Sequence, residues 1–127
     1  MEARKIIDKM EKEAGYFKHN NYHIVKTTEE SIELKADLTE NSMNPYNMVH
    51  GGLIYDLGDT AMGMAVKEKS FTLTSNISYI KPGTGKYIIA RAEKIKKGNN
   101  ICFTKAIIYN EKEEIIATMN ASYYLIG

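Results

Sequence analysis

The 127-residue chain has one cysteine and two prolines, and its charges nearly cancel. A single thiol, Cys102, can form neither an internal disulfide nor a cysteine-based zinc cluster, which agrees with a reducing compartment such as the cytoplasm. Lysine and arginine number 17 against 16 acids, a formal charge of +1, so no broad basic field awaits a nucleic-acid backbone. No apolar run approaches the ~20 residues of a membrane span. The start, MEARKIIDKMEKEAG, alternates charges instead of building a signal-peptide core, so no membrane contact and no export are expected. With 43% hydrophobic and 26% charged residues, what remains is the composition of one soluble globular domain spanning residues 1–127.

Periodicity divides the chain into elements. Ala3, Ile6, Ile7, Met10, Ala14 and Phe17 recur at helical spacing, predicting an amphipathic helix within 1–18, with Gly15 as a stop. The stretches YHIVKTT and SIELKADL predict a hairpin with one wet face. TENSMNPYN reads as a loop, because Pro45 drives Asn44 out of the helical region. Residues 51–66, GGLIYDLGDTAMGMAV, are apolar around most of a helical circumference, which predicts a helix wrapped by a sheet. Gly58 and Gly63 inside it each cost ~1 kcal/mol relative to Ala, so close packing against both is expected. Four strand candidates follow: FTLTSNISYIKP, KYIIARAEKI, ICFTKAIIYN and EIIATMNASYYLI, separated by PGTG, KKGNN and NEKEE turns. The order predicts an α+β fold, one curved antiparallel sheet around one long helix, in a core over 20–126.

Asp59 lies on this apolar helix and needs a reason, since an unpaired buried carboxylate costs several kcal/mol. It either caps backbone or pairs with a lysine, or it serves as general base or nucleophile. Asp56, three residues earlier, reads as a solvated or locally bonded residue. His50, Gly51 and Gly52 stand at the helix N-terminus, where unpaired N–H groups favour negative charge and glycine lets a carbonyl approach the main chain. The competing reading is a tight turn that only starts the helix. Gly51 and Asp59 are eight residues apart, ~12 Å along a helix, so one helix cannot bring both to one carbonyl. A two-fold pairing of antiparallel helices would, making the active unit a homodimer.

The run from Asn44 to Ala61 resembles the N-x-x-G-x-x-H-G-G-x-x-x-x-L-x-D-x-A signature of hotdog-fold acyl-CoA thioesterases, in the phenylacetate-degradation (PaaI-like) branch. Thr72, Thr74, Asn76, Tyr79 and Pro82 resemble the following T-x-T-x-N-x-x-Y-x-x-P strand of that family. The resemblance implies a hotdog fold, a dimer or dimer of dimers, and hydrolysis of acyl-CoA to acid and CoA. It assigns Asp59 as the catalytic carboxylate, the Gly51 amide as the group polarising the thioester carbonyl, Asn44 as a holder of water or substrate, and Thr72 as an assistant to the water. His50, Gly52 and Asn47 then line the substrate; Asn47 replaces the glycine usual three residues before the histidine, and asparagine is the next most tolerant residue at positive φ.

A thioester needs no Ser-His-Asp apparatus, and no G-x-S-x-G elbow is present. His50 reads as a residue that orients the turn through a backbone hydrogen bond, ahead of a base. Lys81, Lys86, Arg91, Lys94, Lys96 and Lys97 crowd one stretch; lysines guarding a strand edge are the common meaning, with Lys96 and Lys97 as candidate CoA-phosphate contacts. His19 and His23 have helical metal spacing, but Asn20 and Asn21 favour a turn and a third ligand is missing, so neither metal nor cofactor is expected. Two other readings compete: an acyl-CoA binding or sensing module without turnover, and an acyl-thioester hydratase, whose usual histidine patterns are missing here.

Overall fold

The computed structural model describes residues 15–126. The helix expected over 3–14 lies outside them. Gly15, expected to stop that helix, is itself helical, in α1 (Gly15–His19). The chain leaves the helix at Asn21, whose N–H bonds Lys18 O at 3.0 Å and whose φ of 58° turns the chain that follows into β1. Asparagine performs here the left-handed exit assigned to glycine.

Six strands follow: β1 (Tyr22–Thr27), β2 (Ser31–Asp37), β3 (Ser70–Tyr79), β4 (Tyr87–Lys97), β5 (Ile101–Asn110) and β6 (Ile115–Leu125). The long helix α2 (Gly51–Ala65) sits between β2 and β3, and a short 3-10 turn, Glu40–Ser42, interrupts the loop before it. All strands join one antiparallel sheet in the order β1-β2-β4-β5-β6-β3. The expected α+β hotdog architecture is therefore present. Strand β3 stops at Tyr79, short of Pro82, although the N–H groups of Ile80 and Lys81 both still reach Ile116 O.

Alternation sets the faces. Ile32, Leu34 and Ala36 of β2, Ile88, Ala90 and Ala92 of β4, and Cys102, Thr104, Ala106 and Ile108 of β5 are buried against α2. Many of these are alanine, which lets the helix lie close to the sheet. Leu57, Ala61, Met62, Ala65 and Val66 complete the core from the helix side. Gly58 is part of this contact: a Cβ there would overlap Met119 Sδ and stand 3.2 Å from Ile108 Cδ1. Gly63 departs from the expectation, since a Cβ there would meet only the Tyr123 ring, at an ordinary 3.5 Å. The sheet covers one side of α2. Leu53, Tyr55, Asp56, Asp59, Thr60 and Gly63 form a half-buried stripe at helical spacing on the remaining side.

Candidate active site

The stripe carries two separate clusters. At its N-terminal end His50 caps α2: its Nδ1 accepts from Gly52 N at 3.0 Å, and Leu53 N bonds His50 O at 3.0 Å. The turn-orienting role expected of His50 is what the geometry shows, and it engages the Gly52 amide. Gly51 N–H has no partner among the described residues and is the amide left for a ligand. On its other side the Tyr79 hydroxyl donates to Gly51 O at 2.7 Å, and a Cβ on Gly51 would stand 3.4 Å from that phenol. Burial, and next the neighbouring Tyr55, raise the pKa of Tyr79, so it stays a donor.

The preceding loop is built around Asn44. Its Oδ1 accepts from Tyr46 N at 2.9 Å and Met48 N at 3.1 Å, while Asn47 N bonds Asn44 O at 3.0 Å. With Oδ1 engaged in the loop, the donor Nδ2 is what Asn44 can offer a ligand. Asn47 adopts φ 60°, the left-handed conformation for which a glycine would otherwise be used. Beside Gly51 opens a cavity of about 320 Å³ with largely apolar walls, including Met48, Val49, Ile54, Ile80 and Pro82.

The second cluster surrounds Asp59. Thr72 Oγ1 donates to Oδ1 at 3.3 Å, and the Tyr123 hydroxyl lies 2.8 Å from Oδ1 and 2.8 Å from the Asp59 main-chain oxygen. Tyr123 is 3% exposed. Burial first, and then the charge of Asp59, push its pKa far above the usual tyrosine range, so it remains a protonated donor. Sequence reading missed Tyr123. Its signal was available, because Ala117, Met119, Ala121 and Tyr123 share the inner face by period two. What the sequence left open was the pairing that sets Tyr123 opposite Thr72.

Other candidates fall elsewhere. Asp56 Oδ2 accepts from Thr60 Oγ1 at 3.5 Å, the local bond expected, and also from Tyr22 Oη of β1, a contact across the fold that the expectation of a solvated or locally bonded residue did not include. Lys97 is ion-paired with Glu68. It shares a cross-strand row with Cys102, Tyr123 and Thr72, three strand spacings or about 14 Å from Thr72, and Lys96 lies in the neighbouring row opposite Phe103. The structure thus does not gather Lys96 and Lys97 with Asp59. His19 ends α1 while His23 sits in β1, bonded to Asp37 at 2.7 Å, so the helical spacing of that pair does not apply.

Comparison with known proteins gives this geometry a family. The thioesterase superfamily model matches residues 46–117, more than half of the chain. The chain belongs to the thioesterase superfamily. The thioesterase shares its fold with the Escherichia coli PaaI protein of the phenylacetic acid degradation operon, at TM-score 0.93 and 20% identity over 99% of this chain and 94% of that one. A hypothetical thioesterase from Streptococcus pneumoniae, solved with coenzyme A, aligns at TM-score 0.80 and 24% identity over 84% and 87% of the two chains. The Thermoplasma acidophilum protein named "Putative esterase Ta0293" is 26% identical, over 87% of this chain and 88% of its own. The family resemblance read in Asn44–Ala61 is borne out, and the thioesterase is a hydrolase. Among the described residues no helix is long and apolar enough to cross a membrane.

Proposed function

We propose that the thioesterase hydrolyses acyl-CoA, in centres built jointly by two copies of the chain. One observation carries the reading: the free Gly51 amide and the Asp59 carboxylate sit on one face of one helix, ~12 Å apart, so neither can serve the other's carbonyl within a chain. Strand β3 holds both clusters, through Tyr79 at Gly51 and Thr72 at Asp59. Its outer edge has no neighbouring strand among the described residues, and Ser75 Oγ near its midpoint is buried without a partner. Antiparallel pairing of that edge with itself, centred between Ser75 and Asn76, brings Gly51 of one copy to the partner's Asp59, twice over. A further pairing of dimers is compatible with this arrangement.

The chemistry follows. The Gly51 N–H, at the positive end of α2, donates to the thioester oxygen as charge develops there. Asp59 either takes a proton from water, whose oxygen adds to the thioester carbon, or adds to that carbon itself to give an anhydride that water opens. In both routes the tetrahedral centre collapses, expels CoA thiolate, and the thiolate takes up the proton. Asn44 Nδ2 and His50 border the bound carbonyl and water, Thr72 acts through Asp59, and the apolar cavity beside Gly51 takes the acyl group. The coenzyme A bound by the pneumococcal neighbour supports this substrate class. The phosphate partners proposed for CoA are Lys96 and Lys97, the latter exchanging Glu68 for phosphate.

Thiol release from a panel of acyl-CoA substrates tests the reading, with Asp59→Ala expected to be inactive. Sharing is tested by complementation. Gly51→Pro removes the amide at a position where proline fits a helix start. Mixed by co-expression, Asp59→Ala and Gly51→Pro should recover about a quarter of wild-type activity, because half of the dimers carry one intact centre out of two. No recovery places the centre within one chain. Binding of CoA without turnover by the wild type replaces hydrolysis with a sensing role.

A further inference from the structure

The two oxygens of the Asp59 carboxylate are not equivalent. Oδ1 accepts from both Thr72 and Tyr123, whereas Oδ2 has no hydrogen-bond partner among the described residues. A buried tyrosine hydroxyl needs one acceptor, and the Asp59 main-chain oxygen at 2.8 Å already supplies it. The second acceptor, Oδ1 at the same distance, exceeds what folding requires. The ring is fixed in place, buried between its strand and Gly63 of α2.

We propose that Tyr123 is a positioning residue that holds Oδ1 and so makes Oδ2 the reacting oxygen of Asp59. This rests on the hydrolase reading of Asp59 given above. The single hydroxyl proton of Tyr123 has two acceptors at equal reach. While Asp59 is charged, the proton points to Oδ1. When Oδ2 takes a proton from water or bonds to the thioester carbon, Oδ1 loses charge and the Tyr123 proton turns to the main-chain oxygen, with no movement of the ring. The carboxylate keeps one orientation through the step, and the bond that steadies its charge is released as that charge is consumed.

Tyr123→Phe keeps the ring and removes the hydroxyl. The expected result is a kcat reduced about tenfold or more with KM within about twofold. A purely structural tyrosine would not split kcat from KM in this way. An unchanged kcat, in a protein that Asp59→Ala inactivates, overturns this inference alone. A wild type without turnover, or an active Asp59→Ala, overturns the hydrolase reading and this inference with it. Should Tyr123→Phe not fold, the tyrosine 13Cζ shifts of the wild type and Asp59→Asn at neutral pH decide: the Tyr123 resonance moves when its carboxylate acceptor is replaced by an amide, and equal shifts in the two proteins overturn the pairing.

Discussion

Replacing each of the two interior glycines of α2 by alanine should move stability in opposite directions. Each substitution gains up to ~1 kcal/mol from removing glycine's backbone entropy cost in a helix. At Gly63 nothing opposes the gain: the new methyl meets the Tyr123 ring at 3.5 Å, an ordinary contact. Gly63→Ala is expected to stabilise by ~0.5–1 kcal/mol. At Gly58 the methyl overlaps Met119 Sδ and presses on Ile108, both buried in the core. Overpacking of this kind costs ~1–3 kcal/mol; a middle value of ~2 kcal/mol, with Met119 adaptable but Ile108 pressed as well, less the ~1 kcal/mol gain leaves a net loss of ~1 kcal/mol. The two variants then differ by ~2 kcal/mol, or roughly 6–10 °C in Tm for a domain of this size. Differential scanning calorimetry at one fixed protein concentration measures it, because the proposed dimerisation would also shift Tm. A Gly58→Ala protein as stable as the wild type, or a Gly63→Ala protein less stable, would refute the packing argument.

Two further outcomes follow from the same geometry. Tyr123 holds its proton more tightly in the folded than in the unfolded chain, so its contribution is complete below the unfolded tyrosine value near ~10 and is lost as pH rises above it. Urea denaturation from pH 9 to 11 should show the wild type losing about 1.4 kcal/mol per pH unit more than Tyr123→Phe at the alkaline end, and parallel curves would contradict it. Asn47 at φ 60° should accept glycine without loss, whereas Asn47→Val should cost ~1–2 kcal/mol and reduce turnover by disturbing the Asn44 loop; equal melting of the two variants would remove the conformational argument.

Local patterns made much of this legible. The alternation in SIELKADL and ICFTKAIIYN and the apolar run after His50 correspond to β2, β5 and α2 within a residue or two. The role of Asn47 was readable because positive φ admits few residue types. Non-local pairing was less accessible. That β3 closes against β6, skipping β4 and β5 in the chain, is what sets Tyr123 across from Thr72, and no short-range periodicity encodes that order. The same holds for Lys97, whose ion pair with Glu68 depends on where the end of α2 meets the β4–β5 turn. Gly63 shows the reverse: glycine's presence was read as a close contact, and the contact is ordinary.

Thr72 and Tyr79 are joined by one strand, seven residues and at most about 23 Å end to end, with an irregularity at Leu73 that lets both side chains reach α2 across an odd spacing. That strand acts as a gauge. Loops elsewhere can lengthen or shrink without altering the spacing, but inserting or deleting a residue between these two positions would shift both clusters against their counterparts and invert the side-chain faces beyond the change. In the proposed two-fold dimer the error would be made twice. Under the proposed shared centre the length of β3 is fixed by the reaction itself, and variation in acyl preference falls to the walls of the cavity beside Gly51.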